Sequence, residues 1–273
     1  MESPKREPQP ESAPSLNRIT ELRPGIYQFY GEKPGSHVYL IRGSNKNVLI
    51  DTGIATNFPY IKECLRELGL RTKDTQFVIL THEHPDHIGA TVFFLDTAVV
   101  GAHHLAANKV ELQDEFVTMN KYVNAPTRPF CIDLWLESNT LIDLGNYKLR
   151  VIHTPGHTSG CICIYELTQR LLFSGDTVFA GGTLSNIATS GNISDYVNSL
   201  ERLSTLQIAE LYPGHGRISY TPEQDMKQAI VYARTLLEDS KMLFEAITQK
   251  EGMPSVKALL KGSRMRNKKE VSK

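Results

Sequence analysis

Short hydrophobic runs separated by turn residues make up the first part of the chain after Ile26. The runs IYQFY, HVYLI and NVLID are rich in β-branched and aromatic residues, and clusters of Gly, Pro, Ser and Asn separate them. This pattern predicts strands of one sheet. Apolar positions then recur every three or four residues over 60–70, which predicts a helix, and the apolar run 77–80 predicts another strand.

The rest of the chain alternates between strand and helix patterns. A short strand is expected at 99–101. The stretch 103–141 combines a helical pattern with a proline-bounded loop that carries aromatic residues, and we interpret it as an insertion. The mixture of predicted strands and helices indicates an α/β fold. Further strands are predicted at 148–153, 161–165, 171–174 and 209–212, and helices at 193–206 and 222–246.

Composition and charge divide the chain into one domain with two tails. With 273 residues, of which 40% are hydrophobic, the chain can bury one large core. Residues 1–17 are proline-rich and predict a disordered tail, 18–250 form the predicted domain, and 251–273 form a basic C-terminal tail. The 30 basic residues balance the 30 acidic ones, so the formal net charge is zero. This argues against electrostatic binding of nucleic acid by the protein surface as a whole.

Cysteine use and the N-terminal sequence bear on cellular location. The four cysteines are too few and too unevenly spread for a disulfide framework, so reduced thiols are expected. The N-terminal stretch lacks the apolar core of a signal peptide, and no run reaches the roughly 18 apolar residues of a membrane span. These features predict a cytoplasmic protein without a transmembrane segment.

A cluster of potential metal ligands follows the strand predicted at 77–80. The run THEHPDHIG places the imidazoles of His82, His84 and His87 and the carboxylate of Asp86 within six residues. Zn²⁺ takes such nitrogen and oxygen donors at about 2.0–2.2 Å, and a loop at a strand end can fold several of them around one point. The spacing therefore predicts a metal centre.

Further donors lie downstream, and two metal sites would require them. His157 lies in the run HTPGHT, Asp176 in SGDT and His215 in YPGHG, each next to a predicted strand. Turns at strand ends can bring these donors to one place. Asp51, at the end of the run NVLID, is placed to orient a ligand histidine from behind without touching the metal.

This order of motifs resembles the metallo-β-lactamase-fold hydrolase superfamily, whose hallmark is HxHxDH followed by a His, an Asp and a final His. The likeness extends over 26–215 and includes the run LIDTG at 49–53. It implies a four-layer αβ/βα sandwich with a C-terminal helix and with its metals at one edge. By motif, it further implies one metal held by His82, His84 and His157, a second held by Asp86, His87 and His215, and Asp176 bridging them.

Four histidines lie outside this motif. His153 stands in the same HTPGHT run but matches no ligand position. His37, His103 and His104 are separate from it as well. We interpret these last three as structural residues, because a lone histidine is more often a satisfied core or surface residue than a ligand.

The flanking motifs are similar to those of the glyoxalase II-like and lactonase-like branch. The runs HTPGHTSG, FSGDTVF and YPGHG resemble glyoxalase II and related thioester or lactone hydrolases. The stretch 180–191 lacks the basic residue with which glyoxalase II holds glutathione, so glutathione thioesters are disfavoured. A true β-lactamase is disfavoured as well, because such enzymes carry no bridging carboxylate at the position of Asp176.

The resemblance implies a dinuclear-zinc hydrolase, with iron or manganese as alternative metals. Its reaction would be cleavage of a thioester, lactone or ester carbonyl by a metal-bridging hydroxide. Asp86 is the candidate catalytic residue, because its carboxylate could orient the hydroxide or pass a proton to the leaving group. No Gly-x-Ser-x-Gly run supports a serine hydrolase instead. The 103–141 stretch is expected to lie over the site, and its candidates for contact with a small acyl substrate are Phe116, Tyr122, Phe130 and Trp135.

Two other activities of the same fold are alternatives. β-Lactamase-like endoribonucleases share HxHxDH, the stretch 192–216 resembles theirs, and the basic tail would suit RNA. Neither the RNA-gripping arm of RNase Z nor the extra domain of the β-CASP nucleases fits into this length. Iron-dependent persulfide dioxygenases resemble the chain in HTPGHT but hold a single iron with two His and an Asp. The number of bound metals therefore separates that activity from hydrolysis.

Overall fold

A computed structural model describes residues 18–31, 33–122 and 127–250. The tails predicted at 1–17 and 251–273 lie outside these residues, as do 123–126 in the predicted insertion. Over the described ranges, no helix combines the length and the apolar character that crossing a membrane requires.

Two β-sheets carry the fold of the described residues. In spatial order, the first sheet contains β1 (Ile19–Arg23), β2 (Ile26–Phe29), β3 (Val38–Arg42), β4 (Asn47–Ile50), β5 (Phe77–Ile79), β6 (Val99–Ala102) and β7 (Leu134–Trp135). The second contains β8 (Leu141–Asp143), β9 (Lys148–His153), β10 (Ile162–Glu166), β11 (Leu171–Gly175) and β12 (Glu210–Pro213). Neighbouring strands from β4 to β7 are parallel, as are β11 and β12, and all other neighbouring strands are antiparallel.

The helices begin and end close to the positions that the sequence predicts. The α-helices are α1 (Phe58–Glu67), α2 (Pro85–Ile88), α3 (His104–Glu111), α4 (Ile193–Ser204) and α5 (Pro222–Lys250). Helix α4 starts where the Asn192 side chain accepts a hydrogen bond from the backbone N–H of Asp195 at 2.8 Å, which satisfies a donor that the helix itself leaves free. Prolines at the start of α1 and α5 are compatible with a first helical turn.

Alternation along the strands divides the core into three packed layers. On β3, for example, Leu40 packs toward the helices α1 and α3, whereas its neighbour Ile41 packs between the two sheets. On β11, Leu172 packs toward α4 and α5, whereas Phe173 lies between the sheets. The resulting order of helix, sheet, sheet and helix is the αβ/βα sandwich that the motif resemblance implies.

The predicted site residues follow the ends of parallel strands. In the first sheet, Asp51 comes directly after β4 and His82 shortly after β5. In the second sheet, Asp176 comes directly after β11 and His215 shortly after β12. Because parallel strands end at the same edge of a sheet, this topology collects side chains that are far apart in sequence.

The stretch 103–141, which we predicted to be an insertion, contributes a strand to the first sheet. Leu134–Trp135 form β7, which pairs with β6 through Gly101 opposite Leu134 and Ala102 opposite Trp135. A strand of two residues is too short to show an alternating pattern, so the sequence did not reveal it. The segment between β6 and β7 contains α3 and irregular backbone.

Candidate metal centre

The loop between β5 and α2 places His82 and His84 beside His157. His82 Nε2 lies 3.0 Å from His84 Nδ1, and His157 Nε2 lies 3.0 Å from the same His84 nitrogen. All three residues are buried. Three imidazole nitrogens that face one another at this distance form a ligand set that suits a divalent cation. We call this group the three-histidine set.

A second group of ligand-type atoms adjoins the first. His215 Nε2 lies 3.0 Å from Asp86 Oδ2 and 3.3 Å from His87 Nε2. Asp86 and His87 belong to the short helix α2, which starts at Pro85, whereas His215 comes from the loop after β12. The three side chains together could hold a cation. We call this group the mixed set.

The Asp176 carboxylate lies between the two sets. Its Oδ1 is 3.3 Å from His87 Nε2 and 3.7 Å from His215 Nε2, whereas its Oδ2 is 3.9 Å from His157 Nε2. The side chain is 9% exposed. The structure therefore brings together all seven of the residues that the motif resemblance identifies as ligands.

An unpaired buried oxygen fits this group of side chains to a cation. Asp176 Oδ1 is among the few buried side-chain polar atoms, over the described residues, that have no hydrogen-bond partner. A buried polar atom without a partner costs about 1–3 kcal/mol. A carboxylate oxygen is a ligand that zinc and related divalent metals accept, so a bound metal would remove part of this cost.

Burial keeps the three-histidine set neutral. It lowers the pKa of His84 to about 3, and it places the pKa of His82 and His157 below the ordinary value as well. Neighbouring imidazoles add to the effect at His82 and His84. Because only the neutral imidazole has a lone pair to offer, these residues are prepared as metal ligands at neutral pH.

Two carboxylates carry negative charge here, that of Asp176 between the two sets and that of Asp86 in the mixed set. Burial by itself raises the pKa of Asp176, but the imidazoles of His87, His215 and His157 outweigh it and hold the pKa well below its usual range. Burial is likewise outweighed at Asp86, where His87 and the hydrogen bond with His215 lower the pKa. Two charged carboxylates against buried imidazoles form a site that favours cations.

The family model described as the Metallo-beta-lactamase superfamily matches residues 32–215. The chain belongs to this superfamily. The sequence motifs already indicated this membership, and the match confirms it. The protein is accordingly a metal-dependent hydrolase of the metallo-β-lactamase fold.

Relatives and solved structures agree with this membership. The chain is 32% identical over 214 residues to acyl-coenzyme A thioesterase MBLAC2 of Bos taurus, a match covering 69% of this chain and 75% of the bovine protein. It is 33% identical over 201 residues to the probable metallo-hydrolase MJ0888 of Methanocaldococcus jannaschii, covering 71% and 93% of the two chains. A metallo-beta-lactamase family protein of Thermus thermophilus superposes with a TM-score of 0.67 at 25% identity, covering 80% of this chain and 82% of that one.

The Asp51 carboxylate contacts the loop that carries the predicted ligands. Its Oδ1 accepts a hydrogen bond from the Thr81 N–H at 2.7 Å, and its Oδ2 accepts one from the Thr81 hydroxyl at 2.7 Å. The same Oδ2 lies 2.7 Å from His87 Nδ1. If His87 donates to Asp51 through Nδ1, its Nε2 is left free for a cation, so we expect Asp51 to favour the tautomer that a metal ligand requires.

We expect Asp51→Asn to weaken metal binding by about 10- to 100-fold, because the amide cannot accept both the Thr81 and the His87 hydrogen bonds. Asparagine tolerates the positive φ of 60° at this position, so the backbone should be preserved. Zinc affinity measured by chelator competition tests this. The control is Asp96→Asn, at an exposed carboxylate, and an unchanged affinity in Asp51→Asn would contradict the role of Asp51.

Glu83 is a buried acidic residue whose contacts the sequence analysis missed. It lies between the predicted ligands His82 and His84 and is 0% exposed. Its Oε2 accepts a hydrogen bond from the Thr158 hydroxyl at 2.9 Å, and its Oε1 accepts one from Ser190 at 3.3 Å. Burial raises its pKa to about 7. Glu83 thereby links the loop of His82 and His84 to the loop that carries His157. Its position between His82 and His84 was the feature of the sequence that could have indicated a role near the metal centre.

The four aromatic substrate candidates have different environments. Phe130 is buried and lines a cavity of about 120 Å³ together with Ile88 and Val110. Phe116 and Trp135 are exposed, and Lys121 lies over the Phe116 ring at 4.8 Å from its centre. The side chain of Tyr122 is outside the described part of the structure. His37, as expected for a structural residue, bonds to backbone groups of Gly31 and Gly216.

Proposed function

We propose that the protein is a dinuclear-zinc hydrolase that cleaves acyl thioesters, with coenzyme A thioesters as its leading substrate class. The observation that carries the proposal is the convergence of two ligand sets on one buried carboxylate, in a chain similar to an acyl-coenzyme A thioesterase. The seven ligand-type residues support two metals and argue against the single iron of a persulfide dioxygenase.

In this proposal, the three-histidine set would hold one zinc and the mixed set would hold the second, with the Asp176 carboxylate available to both. Bound zinc would supply a nucleophilic water at neutral pH and polarise the attacked carbonyl. The protein residues fix the ligands before substrate arrives. Asp51 holds His87, Glu83 holds the loop of His82 and His84, and the His157 imidazole is fixed by the Asn186 carbonyl oxygen, 2.5 Å from its Nδ1.

Substrate would approach from the side of Asp86 and His215. These two side chains are 25% and 30% exposed, whereas those of His82, His87 and His157 are buried. Hydrolysis adds water to the thioester carbon, forms a C–O bond and breaks the C–S bond. The Asp86 carboxylate, which its lowered pKa keeps ionised, could take the proton released from the water and return it to the departing thiolate.

The cavity lined by Ile88 is a candidate site for part of the substrate. Ile88 directly follows the predicted ligand His87 in sequence. Val110 and Phe130 are apolar lining residues that suit a small acyl group, although much of the remaining lining is polar. Arg128 lines the cavity as well, together with Glu115, and brings a positive charge that suits an anionic group of the substrate, such as a phosphate.

Turnover of the zinc-loaded protein on a panel of acyl-coenzyme A thioesters and lactones, beside a structured RNA, tests the proposal. We expect hydrolysis of at least one thioester, its loss after chelation, and its return when two zinc ions per chain are restored. RNA cleavage without turnover of any acyl substrate would instead establish the nuclease alternative. Activity with a single bound iron would contradict the dinuclear centre.

A further inference from the structure

A second group of imidazole and carboxylate side chains lies apart from the seven metal-centre residues. His104 Nδ1 is 2.6 Å from Glu137 Oε1, and His103 Nε2 is 3.5 Å from Glu137 Oε2. One ligand-type atom from each residue lies within 4.8 Å of the others. No sequence motif groups these residues, since 33 positions separate His104 from Glu137.

The parallel pairing of β6 with β7 creates this group. Ala102 lies opposite Trp135, and the Leu136 N–H donates to the Ala102 carbonyl at 2.8 Å, which continues the ladder past the strand ends. Continued in register, this pairing places His104 opposite Glu137. The group is therefore fixed by the sheet and by the first turn of α3 rather than by mobile surface chains.

The chemical state of the side chains suits a cation. Burial lowers the pKa of His103 to about 4, so its imidazole is neutral at pH 7. The ring of His103 stacks on that of His153 at a centroid distance of 3.7 Å and an angle of 10°, which holds its orientation. His153 is itself held, because its Nε2 donates to the Ser159 carbonyl at 2.9 Å. Glu137 supplies the carboxylate.

We propose that His103, His104 and Glu137 bind a divalent transition-metal cation such as Zn²⁺, Ni²⁺ or Cu²⁺, at a site separate from the seven-residue centre. Two imidazoles and one carboxylate are a ligand set that such ions accept. The side chains of His104 and Glu137 are 38% and 55% exposed, so water can complete the coordination. This inference does not depend on the proposed thioesterase activity.

Binding requires a change of tautomer in both rings and the loss of one long hydrogen bond. At present the Leu105 N–H contacts His103 Nδ1 at 3.3 Å, a long hydrogen bond that leaves the proton of a neutral ring on Nε2. Coordination through Nε2 moves that proton to Nδ1 and gives up this contact. His104, which now donates from Nδ1 to Glu137, would coordinate through Nδ1 and carry its proton on Nε2. No net proton release from the two rings is needed.

The cation would join the two ends of the segment between β6 and β7. His103 and His104 begin α3, whereas Glu137 follows β7. This segment carries Phe130 and most of the residues that line the cavity beside Ile88. A cation that closes such a loop reduces the freedom of the unfolded chain and stabilises the folded segment.

Trp135 provides a direct reporter of the site. It is the only tryptophan of the chain, and its ring centre lies 6.4 Å from that of His104. Full-length untagged protein, with its zinc content determined, is titrated with Ni²⁺, whose binding close to the indole quenches fluorescence. We expect saturable quenching in the wild type and a midpoint about tenfold higher or more in Glu137→Gln and His104→Asn.

The matched control is Asp143→Asn, an exposed carboxylate on strand β8 of the second sheet, which should keep the wild-type midpoint. Zinc content is measured before and after each titration. Nickel that enters the seven-residue centre would quench the wild type and the Glu137→Gln variant at the same concentration. That result, or a wild type without saturable quenching below about 1 mM Ni²⁺, would overturn the proposal.

Discussion

Replacing Asp176 with asparagine is expected to lower kcat/KM for acyl-coenzyme A hydrolysis on the order of 10³-fold. Its carboxylate is the group that lies within 4 Å of imidazoles from both ligand sets, through His157 on one side and His87 and His215 on the other. Asparagine has nearly the same shape but no charge. The variant should therefore fold, while losing the negative charge that a pair of divalent cations requires between them.

Steady-state kinetics and metal analysis on the same samples check this prediction. We expect Asp176→Asn to retain less than two zinc ions per chain at a free zinc concentration that saturates the wild type. Asp143→Asn, which removes an exposed carboxylate 3.9 Å from Lys148, should keep kcat/KM within about twofold. A fully metallated Asp176→Asn protein with more than a tenth of wild-type activity would show that this carboxylate is dispensable.

Truncating Phe173 to alanine is expected to lower the free energy of unfolding by about 3–5 kcal/mol. Phe173 is 0% exposed and lies between the two sheets. Its ring meets those of Tyr39 and Tyr212 at centroid distances of 5.2 and 5.1 Å, both in edge-to-face arrangements. Alanine would leave a cavity at this point and remove both aromatic contacts.

The packing around Phe173 extends to the strand end that precedes His215. The Tyr39 hydroxyl donates to the Pro213 carbonyl at 2.7 Å, and Pro213 precedes the loop that carries His215. Denaturant unfolding of the zinc-loaded protein measures the stability change. Phe116→Ala is the matched control, because that ring is 55% exposed and its loss should change stability by less than about 0.5 kcal/mol. A loss below about 1 kcal/mol for Phe173→Ala would mean that the core repacks around the site.

Much of the metal centre could be predicted from sequence because its ligands occupy local patterns. His82, His84, Asp86 and His87 stand within six residues after an apolar strand, so their proximity follows from backbone geometry alone. Asp51 could be proposed as a supporting carboxylate, since it ends a strand next to that loop. The long helices and most strands could be predicted for the same reason, because periodicity over several residues reports which face is buried.

Glu83 shows what local patterns do not reveal. From sequence it is a charged residue in a ligand loop, yet it is fully buried and bonded to Thr158 and Ser190, which come from two other parts of the chain. No spacing rule predicts such partners. Whether a charged side chain lies in solvent or within the fold depends on which distant loops pack against it.

The sequence alone determined the ligand types, their order and the strand-end contexts that identify a metal-dependent hydrolase, because these depend on residue chemistry and short-range periodicity. Only the tertiary structure decided where the short strand β7 pairs and which residues meet at its end. The register of β7 on β6 places Glu137 beside His103 and His104, and it is set by hydrogen bonds between segments some 30 residues apart. Such contacts depend on how the whole chain packs, which is why the motif predicts the seven-residue centre, whereas only the fold brings His103, His104 and Glu137 together.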